Sequence, residues 1–243
     1  MRAPTTADIV RVWELGQHRP NWQRALLLLA PCFPGLKPSE LAAFTVGRRN
    51  NLLFQLRERV IGPVMQGFVQ CPVCREPLEF SATVGEFLER SGAASESDCT
   101  LTADGFVVRY RLPDSRDLAA AAGHLDLPEA RQTLIRRSIV EILHGGGTIG
   151  PAELPDSAVA ALADEIRERE PLADVRVHLK CAACENVWSA SLDIANFFWT
   201  ELDRMARRLL EDVQALARTY GWPEADILAM SEARRQYYLG AIE

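Results

Sequence analysis

The chain is short of most features that would assign it to a functional class. No apolar run approaches the roughly 20 residues needed to cross a bilayer. The longest, Ala25-Leu26-Leu27-Leu28-Leu29-Ala30, covers under two helical turns. The opening Met1-Arg2-Ala3-Pro4-Thr5-Thr6 has no apolar signal core. A cytoplasmic protein without a membrane anchor is expected. Basic charge is not in excess: 27 Lys and Arg stand against 33 Asp and Glu, a net charge of -6. That removes the overall electrostatic footprint of a nucleic-acid binder. The pairs Arg48-Arg49, Arg136-Arg137, Arg207-Arg208 and Arg234-Arg235 are expected on solvated helix faces. Histidine is scarce, with four in all, and none lies near a paired acid motif. No Gly-x-Ser-x-Gly occurs to complement His144-Gly145-Gly146-Gly147, so that stretch reads as a flexible turn rather than a lipase-type oxyanion loop. With no catalytic constellation in view, the expectation is a protein that is not an enzyme.

What is present is a pair of matching cysteine knuckles. The first runs Val69-Gln70-Cys71-Pro72-Val73-Cys74-Arg75-Glu76-Pro77-Leu78. The second runs Leu179-Lys180-Cys181-Ala182-Ala183-Cys184-Glu185-Asn186-Val187-Trp188. They align at a constant offset of 110 residues without a gap. The match extends through Ser81 with Ser191, Val84 with Ile194 and Phe87 with Phe197. Each copy reads as strand, knuckle, strand, helix start. Two Cys-x-x-Cys pairs supply four thiolates, the full tetrahedral set for one structural zinc ion, and leave no open position for metal catalysis. Cys71, Cys74, Cys181 and Cys184 are therefore the expected ligands, with the residues from Arg75 to Lys180 inserted between the halves of one site. Competing readings are a redox pair, a disulfide framework or unmetallated cysteines. A redox pair needs a helix N-terminus beside the thiolate, and here a strand follows each pair. A disulfide framework needs an oxidising compartment. Cys32 and Cys99 have no partner motif.

The expected fold is α+β and mostly helical. Residues 1–68 form a helical N-terminal region. Residues 69–90 and 175–200 carry the zinc-ribbon-like centre, residues 91–174 an inserted hairpin-plus-helices subdomain, and residues 194–243 the C-terminal helices. Asn21 is a plausible cap for a helix over Trp22–Leu29. Thr45 caps a helix to about Val60, with Leu52, Leu53, Leu56 and Val60 at helical spacing. Thr83 and Glu86 have capping-box spacing and open a short helix through Arg90, followed by a polar loop over 91–98. Thr100-Leu101-Thr102 and Gly105–Leu112 pair as a hairpin around Asp104-Gly105. Asp114 or Ser115 caps an alanine-rich helix, and a second helix is expected over Glu129–Leu143. Pro155 and Asp156 open a helix to about Arg169. Asp193 is expected to cap the longest helix, 194–220, with Phe198, Leu202, Met205, Leu209, Val213, Leu216 and Tyr220 on one stripe. Gly221 ends it, and Ser231 caps a last helix through Leu239.

Several of these stretches resemble the baseplate hub assembly chaperone family of T-even-type contractile phages, and more closely its cellular members found with phage-like contractile injection systems. They are Ile9-x-x-x-Trp13-Glu14-Leu15-Gly16, Arg24-Ala25-Leu26-x-Leu28-Leu29, Val46-Gly47-Arg48-Arg49-Asn50, Cys71-Pro72-x-Cys74, Arg109-x-Arg111-Leu112-Pro113, the second Cys-x-x-Cys pair and Ala217-Arg218-x-Tyr220-Gly221-Trp222-x-Glu224-x-Asp226-Ile227-Leu228. Their order spans nearly the whole chain. The second knuckle departs from the family pattern in having Ala182-Ala183 where a proline is usual, which bears on the rigidity of that turn. The resemblance implies a non-enzymatic role in assembling the hub or baseplate of a contractile tail, with baseplate, hub or spike proteins as partners. It also allows incorporation into the particle as well as a cytoplasmic location. Helix 194–220, or the aromatic end at Tyr220, Trp222, Tyr237 and Tyr238, is the expected partner contact, since aromatic side chains commonly anchor interfaces. The alternative from another class is a zinc-ribbon nucleic-acid-binding protein, disfavoured by the acidic balance.

Overall fold

Thr5, Thr45, Asp114 and Ser231 each cap, through the side chain, the backbone of the helix that follows. The computed structural model describes residues 1–89 and 99–242, so the expected loop over 91–98 and the helix end at Arg90 lie outside the described residues. Contacts divide the chain into two units, one formed by residues 1–36 with 195–243 and the other by residues 37–194. The division after Leu36 falls inside the stretch read as one N-terminal region.

The first unit opens with α1 (Thr6–Gly16), whose N-cap Thr5 accepts from Asp8 N–H while Asp8 answers in a capping box. In α2 (Asn21–Leu29), Asn21 is already helical and Pro20 holds the cap position without a side-chain bond, which corrects the expected Asn21 cap. Proline's fixed φ presets that start at no hydrogen-bond cost, because the first helical N–H groups have no intrahelical partner.

The second unit begins with α3 (Pro38–Ala42) and α4 (Val46–Val60), the latter capped by Thr45 as expected. The α4 N-terminus has a second cap from far along the chain. Glu170 accepts from Gly47 N–H at 3.2 Å and from the Thr45 hydroxyl. A negative group here also suits the helix dipole. Arg49 and Asn50 follow on the inner face. Arg49 donates to Asn50 Oδ1 at 2.8 Å and Ser115 Oγ at 3.2 Å, and Asn50 donates to the Leu172 carbonyl at 2.8 Å. Arg49 is thus buried, not on a solvated face, and Arg235 likewise, with its guanidinium on the Met230 carbonyl at 2.7 Å. Adjacent residues on a helix point about 100° apart, so one arginine of a pair turns inward wherever oxygen partners await it.

Strands β1 (Val64–Gln70) and β2 (Pro77–Thr83) form an antiparallel ribbon carrying the first knuckle, and α5 (Val84–Leu88) follows. The Thr83 hydroxyl bonds the Glu86 carboxylate at 3.1 Å instead of capping the helix backbone. A four-stranded sheet comes next, in the order β3 (Cys99–Ala103), β4 (Phe106–Tyr110), β5 (Ile139–His144), β6 (Gly147–Thr148). The β3–β4 turn is Asp104-Gly105 as expected, with both residues at positive φ, as a two-residue hairpin of this kind requires. Between β4 and β5 lie α6 (Ser115–Ala121) and α7 (Leu127–Ser138). The helix expected over Glu129–Leu143 therefore stops at Ser138. Ile139-Val140-Glu141-Ile142-Leu143 turns into a strand, pairing Ile142 with Val108 and burying both. Its β-branched residues fill the sheet better than a helix face. His144–Gly147 makes the β5–β6 turn, with Gly145 and Gly146 at positive φ. Helix α8 (Asp156–Arg169) lays Ala158 and Leu162 into the core formed with Val108, Tyr110, Ile135 and Ile142. Strands β7 (Arg176–Lys180) and β8 (Val187–Ser191) form the second ribbon.

Helix α9 (Ile194–Tyr220) buries Phe198, Leu202, Ala206, Leu209, Val213 and Leu216. The expected stripe holds from Phe198 to Leu216, except that Ala206 takes the fully buried place beside half-buried Met205, and its last member, Tyr220, is exposed. Within the first unit, Trp13 Nε1 donates to Asp203 Oδ1 on α9 at 2.6 Å. Arg24 of α2 caps the end of α1 by donating to the Gly16 and Gln17 carbonyls, both at 2.9 Å, and stacks 4.5 Å over Trp199. Gly16 is required there, because a Cβ on it would meet the Trp199 ring at 2.3 Å. Gly221 at positive φ ends α9, before α10 (Glu224–Ala229) and α11 (Glu232–Leu239), the last capped by Ser231. The fold is α+β, mostly helical, with a ribbon-type four-cysteine centre and a long C-terminal helix, as expected. No helix among the described residues is long and apolar enough to cross a membrane.

Candidate metal centre

Each knuckle is the turn between two ribbon strands. In the first, the register ends at Gln70 opposite Pro77, and Cys71 to Glu76 make the turn. Cys71 N–H donates to the Glu76 carbonyl at 2.9 Å, and Arg75 N–H donates to the Cys71 carbonyl at 2.9 Å. In the second, Cys181 N–H donates to the Asn186 carbonyl and Glu185 N–H to the Cys181 carbonyl, again at 2.9 Å each. Arg75 and Glu185, which follow the second cysteine of each pair, adopt φ of 62° and 59°. This left-handed turn is uncommon for residues with a Cβ. The two loops are therefore built alike, and Ala182-Ala183 makes the same turn without the proline of the first copy.

The fold brings the two turns together from opposite ends of a long insertion. All four Sγ atoms lie within 4.8 Å of one another. Cys71 Sγ is 3.6 Å from Cys184 Sγ, and Cys74 Sγ is 3.6 Å from Cys181 Sγ. These separations are far too long for a disulfide of about 2.05 Å. A tetrahedral ion with metal–sulfur bonds of about 2.3 Å has sulfur–sulfur edges of about 3.8 Å, so the donor set fits one ion. The inner cysteine of each pair, Cys71 or Cys181, is buried, and the outer, Cys74 or Cys184, is exposed. No helix starts at either pair, so neither has the local dipole of a redox Cys-x-x-Cys.

The electrostatics of the first knuckle favour a cation. Burial pushes the Cys71 thiol up, but the backbone N–H groups of Cys74 and Val73, with the Cys184 and Cys74 thiols, outweigh it and bring it down to about 6. At Cys74 the Glu76 N–H acts to lower the value, yet burial and the three neighbouring thiols raise it to about 12. Four thiolates packed this closely repel one another, and a bound cation relieves that repulsion and lets all of them ionise.

No family model, no curated protein and no solved structure matches the chain.

The expected partner residues gather at the far end of α9. Tyr220 stacks on Trp222 with ring centres 4.4 Å apart, and Tyr238 meets both edge-on at 5.9 and 4.9 Å. Arg234 lies 5.7 Å over the Tyr238 ring. These three aromatics pack against one another, with Tyr220 still exposed. Tyr237, 76% exposed, is the one that projects. The sulfur-facing N–H groups and the left-handed Arg75 and Glu185 went unnoticed in the sequence. The available signal was the six-residue turn shared by both copies.

Proposed function

We propose that the chain is a non-enzymatic assembly factor or structural component of the baseplate hub of a phage-like contractile tail, held together by one structural zinc ion. The observation that carries this reading is the closed four-thiolate centre. Zinc prefers four sulfur donors in a tetrahedron, and such a site leaves no position for substrate or water. The ion would serve to tie Cys71 and Cys74 to Cys181 and Cys184. A stapled scaffold that presents helices and an aromatic end is what an assembly factor needs. The contractile-tail partner comes from the sequence resemblance along nearly all of the chain.

The test is native pull-down of the tagged full chain from its own cells, with mass spectrometry of the co-purified proteins, for wild type and Tyr237→Ala. Recovery of hub, spike or baseplate proteins, reduced by Tyr237→Ala, is the expected outcome. Recovery of nucleic acid and its processing machinery without tail proteins would transfer the chain to the zinc-ribbon nucleic-acid binders. Tail proteins recovered equally by the variant would remove the aromatic end as the contact.

A further inference from the structure

The four sulfurs of the metal centre differ in how far solvent reaches them and in which neighbour they meet. Cys71 and Cys181 are buried, and the outer cysteines lie open, Cys74 more fully than Cys184. Two sulfur–sulfur contacts measure 3.6 Å, and both cross from one knuckle to the other, Cys74 to Cys181 and Cys71 to Cys184. Each joins an open sulfur to a buried one. The susceptibility of a cysteine to oxidation follows its thiolate character and its exposure. Metal ligation requires all four to be thiolates, so exposure decides among them and singles out Cys74.

We propose that Cys74 is an oxidation site, and that a peroxide converts the metal staple into a covalent one by joining Cys74 to Cys181 across the two knuckles. In the first step the Cys74 thiolate attacks one oxygen of hydrogen peroxide. The O–O bond breaks, Cys74 becomes a sulfenic acid, and the departing hydroxide takes a proton to become water. In the second step the Cys181 thiolate attacks the Cys74 sulfur. The S–O bond breaks, and a second hydroxide leaves as water after taking a proton. Two thiolates have lost two electrons, and one peroxide has gained them. The sulfurs close from 3.6 Å to about 2.05 Å, a small movement between the tips of two turns. Cys71 and Cys184 then remain as thiolates, half of a four-donor set, and the ion leaves. The new bond ties the same two turns across the same 107 residues. A bond inside either Cys-x-x-Cys pair would do the reverse, closing a ring within one turn and freeing the knuckles from each other. The direction of the 3.6 Å contacts favours the first result. The inference rests on the single-ion centre of the proposed function and makes no use of its contractile-tail partner.

Hydrogen peroxide titration of the full zinc-loaded chain tests this. It is read by zinc release to a chromogenic chelator, by peptide mass spectrometry of the disulfides and by calorimetry. One zinc ion released per Cys74–Cys181 link is expected, with Cys32 and Cys99 still thiols because both are buried. The drop of about 10–20 °C that a chelator causes in the reduced chain should vanish in the oxidised one. It should return after thiol reduction and zinc reloading. A Cys71–Cys74 or Cys181–Cys184 bond overturns the proposal, as does a Cys71–Cys184 link without one at Cys74–Cys181. A sulfinic acid at Cys74 with no cross-link, or zinc and thiols that survive a large excess of peroxide, overturns it too. The metal content of the untreated chain is measured first. Anything other than one ion per chain removes the shared centre itself, and this inference with it, before any oxidant is added.

Discussion

Removing one exposed sulfur should release the staple that closes the second unit. Cys74→Ser and Cys184→Ser are the cleanest variants, because both cysteines are exposed. Serine in place of buried Cys71 or Cys181 would add the cost of an unpaired buried hydroxyl. The link from Cys74 to Cys181 spans 107 residues and that from Cys71 to Cys184 spans 113. For a cross-link closing a loop of about 100 residues, chain entropy gives about 4.7 kcal/mol of stabilisation. Applied to the metal link, this is an upper figure, since a three-thiolate site can keep some affinity. Domain stability is typically about 5–15 kcal/mol, so the loss is a large share of it. At about 2–4 °C per kcal/mol for a unit of this size, the melting temperature of the second unit should fall by about 10–20 °C. The assay is calorimetry with metal content measured by atomic absorption on the same samples, with and without a chelator. Wild type should carry one ion per chain and lose about 10–20 °C with chelator, while both variants should lose much less, limited to whatever metal their three thiolates retain. The double variant Cys74→Ser/Cys184→Ser should cost no more than the worse single one, because the two sulfurs act on one site. Two ions per chain, or additive losses from the two knuckles, would refute a shared centre.

Gly16→Ala should destabilise the first unit by about 1–3 kcal/mol, the usual cost of overpacking, although alanine is the better helix former. The new Cβ meets the Trp199 ring at 2.3 Å, and urea titration followed by tryptophan fluorescence reads the change. Glu170 gives a pH signature. Burial raises its carboxyl above the usual 4.5, against the Thr45 hydroxyl and the Gly47 and Arg48 N–H groups that lower it. A carboxyl raised in the folded state adds stability below its unfolded value and loses it as pH rises through the folded one. The difference in unfolding free energy between Glu170→Gln and wild type should therefore move in favour of the variant as pH climbs from about 4.5. A flat difference would show that Glu170 titrates as it does in the unfolded chain.

Features governed by neighbouring residues were legible in the sequence. Thr45, Asp114 and Ser231 cap the helices they precede, and Asp104-Gly105 makes its hairpin turn, because each depends on groups within a few residues. The same holds for the knuckles, whose duplicated turns name four ligands and imply one ion. Misreadings arose where a distant partner decided the outcome. Ile139–Leu143 continues a helical pattern on paper, yet β4 offers it a row of hydrogen bonds and an apolar face. Arg49 and Arg235 sit in charge pairs that look solvated, and each finds oxygen acceptors brought in from elsewhere in its unit.

The sequence by itself determined the local chemistry: two Cys-x-x-Cys turns of one shape, an acidic balance of charge, and most helix starts. Only the tertiary structure decided that the sulfurs converge within 4.8 Å and that Glu170 caps α4 across more than a hundred residues. Capping and turn formation are settled by contacts a few residues apart, whereas convergence across a long insertion depends on how every intervening element packs, which no local pattern encodes.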